Sequence, residues 1–167
     1  MILYLSASTG KNLELANALA NIGSTLGGDH QVIDLVSEGL PLYSTEEEKN
    51  GIPEAAETLT NRLIAADGLV LIAPEYNGSI PPVLTNAIAW ISRSGGDDWR
   101  EAFAGKMGAV ATHSGGGGQK VLLALRTQLE HLGTNVLARQ ILTHYQKPLN
   151  PDSAKAVVEE LLKYSKK

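Results

Sequence analysis

Short apolar runs alternate with amphipathic segments along the chain, and this alternation limits the possible folds more than any other feature of the sequence. The run Leu69–Ala73 is apolar on both faces, as expected of a central strand in a parallel sheet. Segments with apolar residues at helical spacing separate the runs, which is typical of βαβ units. The pattern therefore predicts an α/β fold, a doubly wound five-stranded parallel sheet with helices on both faces. The predicted strands are Ile2–Leu5, His30–Val36, Leu69–Ala73, Met107–Thr112 and Asn135–Ala138, the last resuming at Ile141–Leu142.

The helical segments have recognisable ends. Gly27-Gly28 ends the first helix, Pro53 fits the first turn of the second, and Pro81-Pro82 opens the third. The stretch Ser37–Asn50 is predicted to be irregular and solvated. Because the sequence contains no internal repeat and no long linker, residues 1–167 are predicted to form one domain. The predicted helices run from about Leu15 to Leu26, Ile52 to Ala66, Pro81-Pro82 to Ile91, Leu122 to Leu132 and Pro151 to Tyr164.

Composition excludes several classes of function. The 167 residues are 43% apolar and 19% charged, which is ordinary for a globular protein. The chain has no cysteine, so disulfides, thiolate zinc sites, iron–sulfur clusters and a cysteine nucleophile are excluded. A net charge of -4 without a basic cluster argues against nucleic-acid binding. No apolar stretch has membrane-spanning length, and the N-terminal run lacks the features of a signal peptide, so a cytoplasmic protein is expected.

Three loops that follow predicted strands have an unusual composition. Ligands of open parallel sheets bind at the carboxyl ends of the strands, where these loops lie. The first loop, Ser6 to Asn12, offers hydroxyl groups, an amide, a lysine and a glycine before a helix. Unpaired N–H groups at such a helix start attract anions, so the loop is predicted to bind a phosphate. The alternative is an ordinary helix N-cap, and the dinucleotide and P-loop motifs are both absent.

The second loop, Pro74 to Pro82, follows the central strand. Gly78 permits a sharp turn, and Pro81-Pro82 stiffens the exit. The ring of Tyr76, the amide of Asn77 and the hydroxyl of Ser79 suit a flat heteroaromatic ligand with a polar edge. The alternative interpretation is a rigid turn closed by a buried tyrosine.

The third loop, His113 to Gly118, places four consecutive glycines after a strand. Without a Cβ atom the backbone can approach a ligand closely, and ordering four glycines has an entropic cost that favours such a role. The alternative is a flexible surface loop. His113 beside Ser114 does not indicate a hydrolase, because the G-x-S-x-G motif is absent. His30, His131 and His144 show no metal-ligand spacing, so no metal site is expected.

Taken together, these segments resemble the NAD(P)H-dependent FMN reductase family of flavodoxin-like proteins, which includes chromate, quinone and azo-dye reductases. The specific stretch runs from Pro74-Glu75-Tyr76-Asn77-Gly78-Ser79 through Ile80-Pro81-Pro82-Val83-Leu84 and Asn86-Ala87-Ile88 to Trp90-Ile91-Ser92-Arg93. Further matches are Leu40-Pro41-Leu42-Tyr43, Phe103, Gly105-Lys106, Ser114-Gly115-Gly116 and Leu132-Gly133. The resemblance implies a flavodoxin-like three-layer sandwich with strand order 2-1-3-4-5, spanning residues 1–167 as one FMN-binding domain.

The resemblance also implies a function. The first loop would hold the FMN phosphate, the second would flank the isoalloxazine and ribityl chain, and the third would line the pyrimidine edge. NADPH or NADH would pass a hydride to FMN, and free flavin, a quinone or a similar small molecule would then accept the electrons. No side chain is then needed as a catalytic acid, base or nucleophile. The implied cofactor-binding residues are Ser6, Ser8, Thr9, Gly10, Lys11, Asn12, Pro74, Glu75, Tyr76, Asn77, Gly78, Ser79, His113, Ser114, Gly115 and Gly116.

The chain departs from the family pattern at the first loop, which is about one residue shorter and has no arginine. Thr85 and Ala89 replace residues that are more often charged, on a helix that commonly packs between subunits; a homodimer or homotetramer is implied. Arg93 is a candidate contact for the 2′-phosphate of NADPH. Two alternatives stay open: a flavodoxin-type electron carrier and a degenerate member that binds FMN weakly. Flavodoxins tend to be strongly acidic, so the net charge of -4 favours the enzyme.

Overall fold

The apolar runs form the strands of one parallel sheet in the computed structural model, which describes residues 1–165. The strands within this range are β1 (Ile2–Ser6), β2 (His30–Asp34), β3 (Gly68–Ile72), β4 (Met107–His113), β5 (Asn135–Val136) and β6 (Ile141–Thr143). The helices are α1 (Lys11–Leu26), α2 (Thr45–Glu48), α3 (Glu54–Ala65), α4 (Pro82–Ser94), α5 (Gln119–His131) and α6 (Pro151–Ser165). Over the same residues, no helix combines the length and the apolar character that a membrane crossing requires.

The strand order is β2-β1-β3-β4-β5, with every pair parallel, which confirms the predicted order. The fifth position of the sheet is divided between two short strands. β5 pairs with β4 at Met107 and Gly108, and β6 pairs with β4 from Ala111 to His113. The interruption that the sequence indicated after Ala138 therefore separates two strands that share one partner.

Alternation along the strands divides the core into two layers, one on each face of the sheet. Leu3, Leu5 and Leu71 are buried in the layer that also contains apolar residues of α3, α4 and α5. Tyr4 and Ile72 are buried in the other layer, against α1 and α6. Because successive side chains of a strand point to opposite faces, each strand supplies both layers. The three-layer arrangement predicted from the sequence is confirmed.

Several predicted boundaries differ from the structure. β2 ends at Asp34, two residues before the predicted end, because the Asp34 carboxylate accepts hydrogen bonds from the Val36 N–H and the Ser37 hydroxyl and turns the chain. The stretch predicted as irregular contains α2, whose first turn is capped by the hydroxyl of Ser44 accepting from the Glu47 N–H at 3.0 Å. No helix was predicted in this stretch, and that prediction was wrong.

Candidate functional site

The register of the sheet brings the three predicted loops to one edge. Ser6 pairs with Ile72 and Ile72 with Ala111, so β1, β3 and β4 reach the carboxyl edge at nearly the same level. Two hydrogen bonds tie neighbouring chain segments together there. The Ala7 N–H donates to the Ile72 carbonyl at 2.8 Å, and the Thr112 hydroxyl donates to the Ala73 carbonyl at 2.6 Å. The three loops therefore leave the sheet side by side.

Asn12 joins the first loop to the third. Its side-chain Nδ2 donates to the His113 carbonyl at 3.0 Å, and its Oδ1 accepts the His113 N–H at 2.8 Å. Asn12 is buried, with 3% of its surface exposed. Both main-chain polar groups of His113 are thus used within the protein. Asn12 and His113, which the family resemblance implied as cofactor-binding residues, thus form a brace between the first and third loops.

The first loop presents a row of unpaired donors. Within residues 1–165, the main-chain N–H groups of residues 8–12 have no acceptor, and neither the Ser8 nor the Thr9 hydroxyl donates a hydrogen bond. The Ser6 hydroxyl, which is buried, holds the loop by donating to the Ser8 carbonyl at 2.8 Å. The row continues into the start of α1, where the helix dipole favours an anion. This donor set matches what a phosphate group requires.

The positive charge of Lys11 in the first loop is balanced by a neighbouring carboxylate. Its ammonium group lies 2.7 Å from the Glu14 carboxylate, one turn further along α1. The hydrogen bond to Glu14 raises the pKa of Lys11, so the ammonium stays protonated while its charge is matched by a neighbouring anion. Gly10, the N-cap residue, provides no side-chain cap, and its Cβ position faces open space.

The second loop is a tight turn. Tyr76 and Ser79 exchange main-chain hydrogen bonds of 3.1 and 3.0 Å, and Asn77 and Gly78 have φ values of 52° and 75°. Two consecutive positive φ angles define a type I′ turn, for which Asn-Gly is the preferred pair. Tyr76 is 50% exposed, so the alternative in which a buried tyrosine closes the turn is wrong. The ring and the side chains of Asn77 and Ser79 face solvent beside the other loops.

Glu75 connects the second loop to α5. Its carboxylate accepts the main-chain N–H of Val121 at 3.4 Å, in the first turn of that helix, whose N-cap Gly118 has no side chain to do so. Pro74, the residue before it, is half-buried at the end of β3. An anionic group at a helix start is favourable, so Glu75 acts as a cap supplied from another loop.

The third loop presents a second row of donors. Ser114 donates its N–H to the Thr143 carbonyl at 3.1 Å, and the N–H groups of residues 115–120 then have no acceptor in the described part of the chain. Gly115 and Gly116 are exposed. Gly118 has a φ of 77°, and a Cβ atom there would lie 2.7 Å from the Thr112 methyl group. This glycine is therefore required by packing as well as by its backbone conformation.

The two donor rows and the turn fit FMN in chemical type. A phosphate suits the N–H groups and hydroxyls of the first loop, while free N–H groups along an open glycine segment suit the carbonyl and ring-nitrogen acceptors of a flavin edge. The residues described do not contain a group of three or more histidine or acidic side chains placed to hold a metal ion. The arrangement offers binding and orientation, with no pair of side chains set for acid–base catalysis.

Three residues at this edge were not found from the sequence. Lys120 lies over the second-loop turn, its Cδ 3.3 Å from the Cβ position of Gly78, and Thr143 and Tyr145 lie beside the third loop. No local motif marks them, because they reach the edge only through the fold. Arg93 lies elsewhere: it is in the last turn of α4, about 16 Å along the axis from the helix start. Its Nε donates to the Tyr43 hydroxyl at 3.2 Å.

A wide cavity of about 960 Å³ lies at the opposite, amino edge of the sheet and is lined by Met1, Asp29, Asp67 and Lys163 among others. None of the three predicted loops contributes to it. Its acidic residues and its distance from the strands' carboxyl ends make it a poor match for a phosphate ligand. The donor groups of the three loops therefore identify the candidate site better than the size of a cavity does.

Comparison with known proteins gives a consistent result. The family model described as NADPH-dependent FMN reductase matches residues 1–147. A 2-hydroxy-1,4-benzoquinone reductase from Burkholderia sp is 38% identical over 99 residues, covering 59% of this chain and 50% of that protein. An NADPH azoreductase from Bacillus sp. (strain OY1-2) is 30% identical over 138 residues, covering 80% of this chain and 73% of that protein. The match to the benzoquinone reductase thus spans about half of that relative's length.

A solved structure supports the fold. FerB, a flavoenzyme NAD(P)H:(acceptor) oxidoreductase from Paracoccus denitrificans, superimposes with a TM-score of 0.80 over 98% of this chain and 96% of that chain. The two sequences are 22% identical, so this likeness concerns the fold alone.

Proposed function

The chain belongs to the NADPH-dependent FMN reductase family, and on that premise we propose that it is an FMN-dependent NAD(P)H oxidoreductase. The proposal places FMN at the carboxyl edge of the sheet and a small electron acceptor, such as free flavin or a quinone, on the open face of the flavin. The observation that carries it is the pair of unpaired N–H rows in the first and third loops, joined by Asn12 and flanked by the Asn77-Gly78 turn.

The proposed roles of the residues follow from their free groups. The N–H groups of residues 8–12 and the hydroxyls of Ser8 and Thr9 would bind the phosphate. The turn from Tyr76 to Ser79 would flank the ring system, and the N–H groups from Gly115 onward would face its pyrimidine edge. Bound FMN supplies the hydride chemistry, which leaves binding, orientation and exclusion of water to the protein. Ser6, Asn12 and Glu75 would act by holding the loops in place.

The test is the visible spectrum of the purified protein before and after anaerobic addition of NADPH or, separately, NADH. Loss of the flavin absorbance band after either addition supports the reductase. A yellow protein that neither nucleotide reduces indicates an electron carrier, and a colourless protein that does not bind added FMN contradicts both. Comparing the two nucleotides at equal concentration also decides which one the protein prefers.

A matched pair of variants tests where the phosphate binds. Replacing Ser8 and Thr9 together by alanine is expected to weaken FMN binding by roughly 1–3 kcal/mol, about 5- to 150-fold, through lost hydrogen bonds to a charged group. Replacing Ser24 and Thr25, whose hydroxyls donate to α1 carbonyls at the far end of the same helix, is the control. Equal FMN affinity in both double variants would mean that the phosphate binds elsewhere.

We also propose a homodimer or homotetramer and a cytoplasmic location. Leu42 is 79% exposed and Trp99 is 40% exposed, and both lie near α4, which supports an interface on this side. Light scattering of the purified protein gives the oligomeric state.

The proposed use of a reduced nicotinamide nucleotide favours the cytoplasm. We propose one domain over residues 1–167, which is supported by the single sheet that strands β1 to β6 form within the described residues 1–165.

A further inference from the structure

A smaller cavity lies beside the candidate flavin site, on the face of the sheet that α1 and α6 cover. Its volume is about 350 Å³, and it is formed between α1 and the segment that follows β6. Leu15, Ala18 and Leu149 supply apolar lining, and His113, Thr143 and Tyr145 line the cavity at the end of β6 and beyond it. This volume and lining suit one aromatic ring with a polar substituent.

The hydrogen bonds of Thr143 fix the proton of His113. The Thr143 hydroxyl lies 3.0 Å from the Thr112 carbonyl and donates its one proton there, because a carbonyl oxygen can only accept. The same hydroxyl lies 3.1 Å from Nδ1 of His113, so it must accept from that nitrogen. Nδ1 therefore carries the proton of the neutral imidazole, and Nε2 is the acceptor.

Nε2 of His113 is buried and has no hydrogen-bond partner among the described residues. A buried acceptor without a donor is unfavourable, and such groups are rare in folded proteins. The neighbouring hydroxyl of Thr143 has no proton left to offer. Water or a bound molecule would therefore supply the donor for Nε2.

Tyr145 lines the cavity and packs against His113. Its ring packs edge-to-face on the His113 ring, with centroids 5.3 Å apart and an interplanar angle of 85°. Its side chain is 77% exposed, and its hydroxyl makes no hydrogen bond within residues 1–165. A small rotation of Tyr145 would therefore open a path to His113 while keeping an aromatic ring beside a ligand.

The charge at the rim selects against an anionic ligand. Lys11 and Glu14 both line the cavity and pair with each other at 2.7 Å, so the rim has no net charge. An incoming carboxylate would meet a Lys11 ammonium that is already paired with Glu14. It would also meet Nε2 of His113, which accepts hydrogen bonds and cannot donate one to a carboxylate. We propose that this cavity binds a neutral aromatic molecule that carries a hydroxyl group, with the hydroxyl donating to Nε2 of His113. This site is separate from the flavin site, which the N–H rows would form.

Phenol and methoxybenzene are the probes that test this inference, because they share the ring and differ in the hydroxyl donor. NMR titrations of the full-length protein are run at pH 8, where a phenolic hydroxyl, with a pKa of about 10, keeps its proton. We expect phenol to bind at least about tenfold more tightly than methoxybenzene and to shift the His113 imidazole resonances. Equal affinities for the two probes would overturn the proposal.

Two variants test whether Nε2 of His113 causes the preference for phenol over methoxybenzene. His113→Phe keeps a ring but removes the acceptor, so the preference for phenol should disappear. His131→Phe, the same change on the exposed face of α5, should retain it. A preference that survives in His113→Phe would contradict the inference. If His113→Phe does not fold, the nitrogen chemical shifts of His113 in the unmodified protein decide, since a proton found on Nε2 would also contradict it.

The same titration distinguishes this inference from the proposed function. It is performed on protein without flavin and again after addition of FMN. A phenol preference in a protein that does not bind FMN would support the cavity and contradict the oxidoreductase. FMN binding without any phenol preference would support the proposed flavin site and contradict the cavity proposal.

Discussion

Replacing Asn12 by alanine removes the brace between the first and third loops. The change deletes one donor and one acceptor, and it leaves both the N–H and the carbonyl of His113 without their partners, which lie at 2.8 and 3.0 Å. No nearby side chain of the described residues replaces them. The perturbation therefore acts on two loops that are 101 residues apart in the sequence.

The expected cost follows from those two bonds. Each net hydrogen bond contributes about 0.5–1.5 kcal/mol, and a buried main-chain group left unpaired adds to the loss. Because His113 is only half-buried, water can reach part of the gap, and the total is expected to be about 2–3 kcal/mol. In a protein of this length that corresponds to a fall in Tm of about 4–12 °C.

Urea unfolding followed by circular dichroism measures the loss, and Asn17→Ala is the matched control. Asn17 is on the same helix, is exposed, and makes one hydrogen bond, from Nδ2 to the Leu13 carbonyl at 2.8 Å. Its loss should cost less than about 0.5 kcal/mol. If Asn12→Ala and Asn17→Ala are equally stable, the brace contributes nothing and the reasoning is refuted. FMN affinity, measured on the folded variants, should fall for Asn12→Ala alone.

Three further predictions concern single residues. Gly118→Ala should lower the free energy of unfolding by about 1–3 kcal/mol, because φ is 77° and the new Cβ would lie 2.7 Å from the Thr112 methyl group; Gly116→Ala, where the Cβ position is open, should be near neutral by the same urea assay. Burial raises the pKa of the Tyr4 hydroxyl, so the folded state keeps a proton that the unfolded chain releases above pH 10, and stability should fall by up to ~1.4 kcal/mol per pH unit there. Tyr4→Phe should lack this alkaline decline, and an identical decline in both proteins would exclude Tyr4 as its source. Lys11→Ala should change FMN affinity less than about fivefold, measured by flavin fluorescence, since its charge is already matched; a larger loss would identify the ammonium as a phosphate ligand.

The sequence predicted the sheet well because its evidence is local. The run Leu69–Ala73 is apolar on both faces, and that pattern is typical of a strand that helices cover on both sides. The order 2-1-3-4-5 was implied by the family resemblance, and once the strands are parallel and in that order, the loops after β1, β3 and β4 must meet at one edge. The position of the candidate site could therefore be predicted without any side-chain contact being known.

The roles of individual site residues depend on long-range partners, which a local pattern does not record. The Asn12 side chain pairs with the main chain of His113, a contact that its position in the loop did not reveal, and its implied contact with the cofactor stays a prediction. Glu75 was implied to bind the cofactor, and its contact with the helix start that it caps was not predicted, because that helix start is 46 residues away. α2 was missed because it has a single turn of four residues, too short for a helical period to be seen.

The first loop has no arginine, so the groups that would attract a phosphate differ from those of the family pattern. The expected position of the phosphate stays the same. With Lys11 paired to Glu14, the loop has no unmatched positive side chain, so the attraction for a phosphate must come from dipoles: five main-chain N–H groups, two hydroxyls and the start of α1. Dipoles act over a short range and only in a fixed geometry, which an arginine on a flexible stem does not require. Holding that geometry is the task of the Ser6 hydroxyl, which pins the Ser8 carbonyl, and of Asn12, which anchors the loop to β4. In this chain, FMN affinity should therefore depend more on the rigidity of the first loop than on its charge.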